Sequence, residues 1–496
     1  MASTPTTRWQ VSGYRFLVRR MEHALVRRDV RMLHDPMRSQ SRAFTVGLVA
    51  ASVGLAGCGA LALLRPQDKI GDSAIVVGKD SGAMYVAYED TFRPVLNLAS
   101  ARLILGSPDE PAVVADDEIA SRPRGPLMGI PGAPSALNEA QQASWTVCDT
   151  VTADGGGPLE TSILVGDTDL GDGRFELGDD QAMLVSNSGT TYLVHRGARA
   201  QIDLDSAAVR KAYGLGDVVP RPVSKALLNA LPEQPRIAAP EIGGQGREPA
   251  DNRLGVPVGS VVRTGSDDAT EYYLVLLGGV QRVSKPVADI VFETNGLGAL
   301  EIPQVRPDVV NKIAQVDDVA VGTFPTAALD IVDTRSDPVG CLSWTKLADS
   351  DVDGTRNASV GLIAGRSLPM PADARTVTLA QADGPGDNAD AVWVQPGASG
   401  FVQSTGISPD SQRVGSVFVL SDTGVRYGLA DGGASQTGGS SHPAASALGA
   451  PAHPALAPWP VLDLLAPGPV LSRSDALVAH DGMAAAQGSV AVTPAN

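Results

Sequence analysis

The chain of 496 residues lacks a GxxxxGK[ST] string, the glycine-rich loop whose backbone amides cradle phosphates. Its nearest approach, Val77-Gly78-Lys79-Asp80, has neither the leading glycine nor the hydroxyl. HExxH, CxxC and GxSxG are missing as well, which removes those signatures of zinc-protease, dithiol and serine-hydrolase chemistry. The 6 histidines are scattered. His480-Asp481 beside Ser472 and Ser474 has no oxyanion-hole signal with it, so no nucleophile set is read there. No catalytic residue, cofactor or metal is expected on these grounds. Lysine is absent from residues 1–43, and charge of either sign is absent between Arg42 and Arg65.

That last gap is the most informative feature present. Residues 43–64 read AFTVGLVAASVGLAGCGALALL, long enough as a helix at about 1.5 Å per residue to cross a bilayer core of about 30 Å once. Residues 1–43 carry nine arginines against Glu22, Asp29 and Asp35, a net +6; the whole chain is −16, so the remainder is −22. Positive flanks stay in the cytoplasm, which predicts residues 1–42 inside and the large acidic part exported. Its charge argues against nucleic-acid binding. A cleaved signal would have a shorter basic leader and a shorter apolar stretch. Leu55-Ala56-Gly57-Cys58 has the form of a lipobox, but the run stays apolar through Leu64, and Cys58 reads as a small residue within the span. Ala50, Gly54, Cys58 and Ala62 recur at four-residue spacing, a ridge suited to helix packing in a membrane; a merely Ala/Gly-rich composition accounts for it equally well.

Ahead of the span, Tyr14, Leu17, Val18, Met21, Ala24 and Leu25 recur at three- and four-residue intervals, with Arg15, Arg19, Glu22 and Arg27 on other faces. This predicts an amphipathic helix of about four turns ending before His34-Asp35-Pro36. One helix cannot bury its own stripe, so the stripe lies on the anionic leaflet or packs on another protein.

On the exported side Cys148 and Cys341 form an even pair in an oxidising compartment, which predicts one disulfide. Four segments share a turn followed by tyrosine: Asp80–Tyr85, Asn187–Tyr192, Asp268–Tyr273 and Asp422–Tyr427. Each follows a β-rich run, so each reads as a hairpin. Short helical segments follow, among them Ala226–Leu231 and Val461–Ala466. The tyrosine intervals of 107, 81 and 154 residues are uneven, unlike a regular solenoid. The expected fold is therefore α+β and bitopic: one N-terminal transmembrane helix, then an extracytoplasmic region of about four hairpin-plus-helix repeat lobes around a central disulfide-stapled β-domain. The expected boundaries are 73–134, 181–235, 255–314 and 411–482 for the lobes, with the central domain in two parts, 135–180 and 315–410. Residues 431–458, rich in Gly, Ser, Ala and Pro, read as a loop excursion, and 483–496 as a frayed tail.

Asp349, Asp351 and Asp353, followed by Gly354, match the first half of a calcium loop. The twelfth position, where a bidentate Glu is needed, is Val360. A solvated acidic turn is the better reading, and Asp167, Asp169 and Asp172 make a weaker case of the same kind.

Several strings resemble the EccB family of type VII (ESX) secretion systems of actinobacteria: Gln10–Tyr14, Asn97–Arg102, Pro123–Pro134, Trp145–Asp149 and Leu471–Asp481. Their order also agrees with that family. The resemblance implies a structural core subunit of an inner-membrane secretion complex that exports small helical-hairpin proteins. It implies EccC-, EccD- and EccE-like partners, the mycosin protease and self-association as a dimer within a larger ring. It also implies an elongated exported part with repeat lobes around a disulfide-bonded domain. The family often bears an ATPase label, which would make ATP a ligand; no residue here is assigned to it. A single-pass surface binding or sensor protein is the remaining alternative, and about 42 cytoplasmic residues are too few for an output domain.

Overall fold

The computed structural model describes residues 7–28, 30, 36–64, 70–152, 159–265, 270–295, 299–347, 358–430 and 443–482. It divides into Met1–Gly71 and Asp72–Asn496.

The first unit holds two helices. Arg8–Arg27 is 20 residues long, longer than the four turns expected. It opens on a capping box: the Gln10 amide donates to the Thr7 hydroxyl, and the Thr7 amide donates to the Gln10 side chain at 2.9 Å. Two of the orphan donors of the first turn are thereby satisfied. It closes at Arg28, which adopts a left-handed conformation with φ 55°. Arg8–Arg27 contains no buried residue. The second helix, Pro36–Leu64, contains a membrane-length apolar segment at Ser41–Ala60. Thr45 and Ser52 donate their hydroxyls to the carbonyls of Ser41 and Leu48, at 2.7 and 2.8 Å. These bonds satisfy the Thr45 and Ser52 hydroxyl donors within the helix's own backbone, as an apolar solvent requires.

The second unit is built around a seven-stranded sheet. Its order is Val377–Thr378, Ala391–Val394, Glu160–Val165, Trp145–Thr150, Val339–Lys346, Ala358–Gly365, Arg174–Glu176. Every strand comes from 145–176 or 339–394. One face buries Trp145, Val147, Ile163, Leu342, Trp344 and Leu362. The opposite face buries Cys148, Leu164, Cys341, Ile363 and Trp393 under Leu368, Met370 and Ala374. Cys148 and Cys341 stand directly opposite one another on neighbouring antiparallel strands, Cα atoms 4.0 Å apart, and are disulfide-bonded.

One connectivity recurs in four further sheets: three antiparallel strands, a helix, a chain return parallel to the first strand, a second helix, and a return parallel to the third. In the first, 75–94 form the meander; 112–114 return along Ile75–Gly78, and Arg124 and Met128 bridge to Phe92 and Val95. In the second, strands between 181 and 202 receive Arg221–Pro222 and Glu233–Ile237. In the third, strands between 261 and 283 receive single bridges from Gln304 and Gln315. In the fourth, strands between 400 and 428 receive Ala455–Pro458 and Ala466–Pro467. Local chemistry explains the tight corners. Glu89-Asp90, Ser188-Gly189 and Arg196-Gly197 all have positive φ, as two-residue turns between right-twisted strands require. Asn97, Ser206 and Ser224 accept from the third amide of the helices they open.

Five expectations are corrected. The recurring unit has three strands and two helices instead of a hairpin and one helix. The Tyr427 turn joins the second and third strands of its sheet, whereas the other three tyrosine turns join the first and second. Phe418, opposite Val402, therefore occupies the register of Tyr85 and Tyr192. Strand Gly400–Thr405, within the segment assigned to the central domain, heads the fourth sheet. Within 431–458, Pro443–Leu448 is a helix and Ala455–Pro458 a strand; 431–442 lie outside the described residues, as do 483–496. The helix expected at Val461–Ala466 is shorter and earlier, Trp459–Leu462, and Ala466 begins a strand.

The sheets share cores in pairs. Side chains of the first and fourth sheets pack together, including Ile75, Ile104, Met128, Phe401, Leu448 and Leu471. Those of the second and third do likewise, including Leu184, Tyr213, Leu274 and Ile290. Helices Lys225–Ala230 and Trp459–Leu462, the second helices of the second and fourth units, both feed the Trp145/Trp344 face of the central sheet.

Candidate functional site

Ser472 and His480, weighed together as a nucleophile set, hold structural positions. The Ser472 hydroxyl lies 2.6 Å from an Asp475 oxygen and caps helix Arg473–Ala476, and the His480 ring contacts the Gly129 carbonyl at 2.9 Å. Each is engaged with its own structural partner. Among the described residues no group of three or more His, Cys, Asp or Glu is arranged to hold a metal ion. Asp349, Asp351 and Asp353 lie outside the described residues. Val360, their proposed closing position, is in strand Ala358–Gly365. Asp169 accepts the Gly171 amide at 2.9 Å and pairs with Arg174 at 3.5 Å.

What the sequence signatures build instead are joints between sheets. Asn97 accepts the Ser100 amide and hydroxyl at 2.9 and 2.7 Å and donates to the Ile130 carbonyl at 2.8 Å. Ser100 in turn accepts the Ile130 amide at 2.8 Å. This closed ring of buried polar groups pins the 123–134 segment to helix Leu98–Leu105. That segment then pairs with the C-terminal signature, Met128 opposite Ala479 and Leu127 opposite His480. Arg102 reaches further along the chain: it donates to the Leu448 carbonyl at 2.9 Å and the Asp109 carbonyl at 3.2 Å, and pairs with Glu110 at 2.9 Å. The orphan carbonyl at the end of helix Pro443–Leu448 is thereby satisfied. Nearly all of the Arg102 side chain is buried, so it ties the first sheet to the fourth.

A second joint centres on Asp149, last-but-one in strand Trp145–Thr150. Its carboxylate is buried and accepts the Thr161 hydroxyl at 2.9 Å, the Ser224 amide at 2.7 Å and the Ser224 hydroxyl at 2.9 Å. Ser224 also caps helix Lys225–Ala230 by accepting the Leu227 amide at 2.9 Å. One carboxylate therefore fixes helix Lys225–Ala230 on the central sheet. Burial pushes the Asp149 pKa up from 3.8 to about 6, against the pull of the hydrogen bonds from Ser224 and Thr161 and of the nearby Arg221. Arg221 itself donates to the Pro338 carbonyl at 2.6 Å. Asp149 and Arg102 were visible only as letters within the signature strings; neither periodicity nor spacing marks them, because their partners lie 75 and 346 residues away.

The residues predicted for partner contact are displayed in the first unit. Tyr14, Leu17, Met21 and Leu25 are exposed and Val18 half-exposed. Sequence reasoning missed Trp9, Phe16 and Val26, which are exposed beside them. Ala50, Gly54 and Cys58 are exposed along the second helix, and the Ala62 side chain lies outside the described residues.

A family model described as type VII secretion system ESX-1, transport TM domain B, matches residues 3–485. The chain is 38% identical over 491 residues to ESX-3 secretion system ATPase EccB3 of Mycobacterium tuberculosis (strain CDC 1551 / Oshkosh), covering 96% of this chain and 90% of that protein. It is 37% identical over 490 residues to ESX-1 secretion system ATPase EccB1 of Mycolicibacterium smegmatis (strain MKD8), covering 97% and 96%. Its fold is similar to a chain of an intact ESX-5 inner membrane complex, with TM-score 0.73 and 34% identity over 100% of this chain and 99% of that one. It is also similar to an EccB3 dimer from the ESX-3 core complex, with TM-score 0.69 and 35% identity over 82% and 100%.

Proposed function

The chain belongs to the EccB family of type VII secretion subunits, and from that premise we propose that it is a structural core subunit of an ESX inner-membrane complex. The observation that carries this is the end-to-end match to a chain of an assembled secretion complex, the N-terminal helices included. The chain holds the membrane with its apolar helix, and it self-associates, as the related EccB3 does in its dimer. The +6 flank and the −22 remainder support an N-terminus in the cytoplasm and a large unit outside. On the cytoplasmic side the stripe of Tyr14, Leu17, Val18, Met21 and Leu25 packs on EccC- and EccD-like subunits; EccE-like and mycosin-like proteins complete the assembly.

The curated relatives are named ATPases. The scaffold reading is preferred because no phosphate-binding loop is encoded and an exported unit faces a compartment without ATP. Protease added to spheroplasts is expected to digest the large unit and spare residues 1–40. A mild-detergent purification is expected to bring down the EccC- and EccD-like subunits. Protection of the large unit defeats the orientation, and a subunit that purifies alone defeats the scaffold role.

A further inference from the structure

At one end of the central sheet the parallel strands Glu160–Val165 and Ala391–Val394 each continue into a loop. With the segment around Pro371 they enclose a groove of about 670 Å³, within the range of clefts that hold compact ligands, roughly 300–1,000 Å³. Leu170, Pro371, Trp393 and Pro396 supply its apolar surface, and Asp167 and Asp373 stand at it as charges. The walls are held in shape from within. The Asp167 amide donates to the Gln395 side chain at 2.7 Å, and the Gln395 amide donates to the Val165 carbonyl at 2.7 Å. Asp169, also on the groove, is engaged by Arg174, whose guanidinium is itself held by the Leu368 and Met370 carbonyls at 3.0 and 2.8 Å. The carboxylates of Asp167 and Asp373 have no hydrogen-bond or ion-pair partner among the described residues. No lysine or arginine lines the groove.

We propose that this groove is a docking site for an extended segment of a partner protein that carries an arginine or lysine between proline or aliphatic residues. The claim rests on the reading of the chain as a subunit of a multiprotein complex. Charge complementarity selects the occupant. An acidic or neutral apolar segment would leave two carboxylates uncompensated against it, whereas a guanidinium or ammonium seated in the groove offsets that negative charge. The surface of Leu170, Pro371 and Pro396 beside the edge of Trp393 favours a chain without internal hydrogen bonds, because such a segment enters already extended. This gives the acidic motif Asp167-Thr168-Asp169 a binding role without a metal.

The full-length protein in mild detergent is titrated with an acetylated hexapeptide, Ala-Pro-Leu-Arg-Pro-Ala, and with its Arg→Glu counterpart. The arginine peptide is expected to bind and the glutamate peptide not to. The double variant Asp167→Asn, Asp373→Asn is expected to weaken the arginine peptide by at least about tenfold. Circular dichroism and the intact Cys148–Cys341 bond show that the variant is folded. Binding that is unchanged in the variant, or absent into the millimolar range in the parent, overturns the proposal. Independently, a photoreactive side chain at position 170 in the assembled complex is expected to link to a basic segment of another subunit. Links confined to lipid or to acidic segments also overturn it. Assembly is scored in the same preparations: a complex that forms while the peptide fails to bind removes the groove's role and leaves the subunit reading standing.

Discussion

The two units dispose of their apolar surface in opposite ways. In the first, every described apolar side chain of helix Arg8–Arg27 remains at least partly exposed, with Leu25 at 81% and Trp9 at 87%. In the second, apolar side chains fill shared cores, and polar groups at the joints are themselves buried and paired. An exposed apolar stripe of that size needs a partner, and none covers it among the described residues. The large unit needs none to be folded. The first unit is therefore where assembly sets stability, and the second is where covalent and buried polar ties set it.

The largest effect is expected where that contrast is attacked most directly. Replacing Leu17 and Leu25 together with Asp removes two side chains each worth roughly 1.5–3 kcal/mol on burial. The double variant is expected to insert and to form its disulfide, yet to lose copurification with the EccC- and EccD-like subunits and to stop secretion. If it copurifies and secretes normally, the stripe faces lipid only and the contrast between the two units fails for the N-terminal helix.

Within the large unit the next effect is covalent. The pair Cys148→Ala, Cys341→Ala is expected to lower unfolding stability by about 2–5 kcal/mol, read as the urea midpoint of tryptophan fluorescence. Trp145, Trp344 and Trp393 are buried on the two faces of that sheet and report on it. Assembly through the N-terminal helix is expected to survive. Loss of the complex with an unshifted midpoint would place the disulfide at a partner interface instead. Arg102→Ala follows at about 2–3 kcal/mol, because it strands the Leu448 carbonyl in a buried joint. Hydrogen exchange is expected to rise in both 98–105 and 443–448, which are distant in sequence. A rise confined to the first segment would show that the joint carries no load between the sheets.

How far such features were legible depends on whether their cause is local. The span declares itself because 22 consecutive residues lack charge, and the amphipathic helix because its period lies within one element. The cysteine pair is legible from parity, but their direct opposition on adjacent strands depends on a sheet assembled from both halves of the chain. The three tyrosine turns were readable as hairpins, since turn chemistry is local. The fourth was placed one hairpin too late: Asp422-Thr423-Gly424 has the same turn grammar, and the true first hairpin of that sheet has a longer loop between Thr405 and Val414. The returning strands Arg221–Pro222 and Ala466–Pro467 are two residues each, too short to show a period. Pro443–Leu448 was hidden by its composition; it is a helix because Ala444, Ala447 and Leu448 bury against the first sheet's core, a contact no local pattern announces. Asp149 and Arg102 were unreadable for the same reason, their meaning residing in partners contributed by remote segments.

The smallest effect is the one with a pH signature. In the folded protein Asp149 titrates at about 6, above its ordinary value of 3.8, chiefly because burial penalises the charged form. A carboxyl whose folded pKa is raised binds its proton more tightly in the folded state. Its contribution to stability is therefore fully present below about pH 4 and is lost as pH rises through about 6. The shift sets a ceiling of about 3 kcal/mol, and relaxation around the site reduces the expected effect to about 1–2 kcal/mol. The local chemistry permits the protonated form. The Thr161 and Ser224 hydroxyls donate to the carboxylate, and either is free to rotate and accept from the acid, while the Ser224 amide keeps its acceptor. Asp149→Asn keeps the shape and the amide acceptor but cannot titrate. The difference in urea midpoint between the parent and Asp149→Asn is therefore expected to shift in the parent's favour as pH falls from 7.5 to 4.5. A difference that is constant over that interval, or one that moves the other way, would mean that the joint holds an ordinary, readily ionised carboxylate, and that burial in the large unit is less complete than its packing indicates.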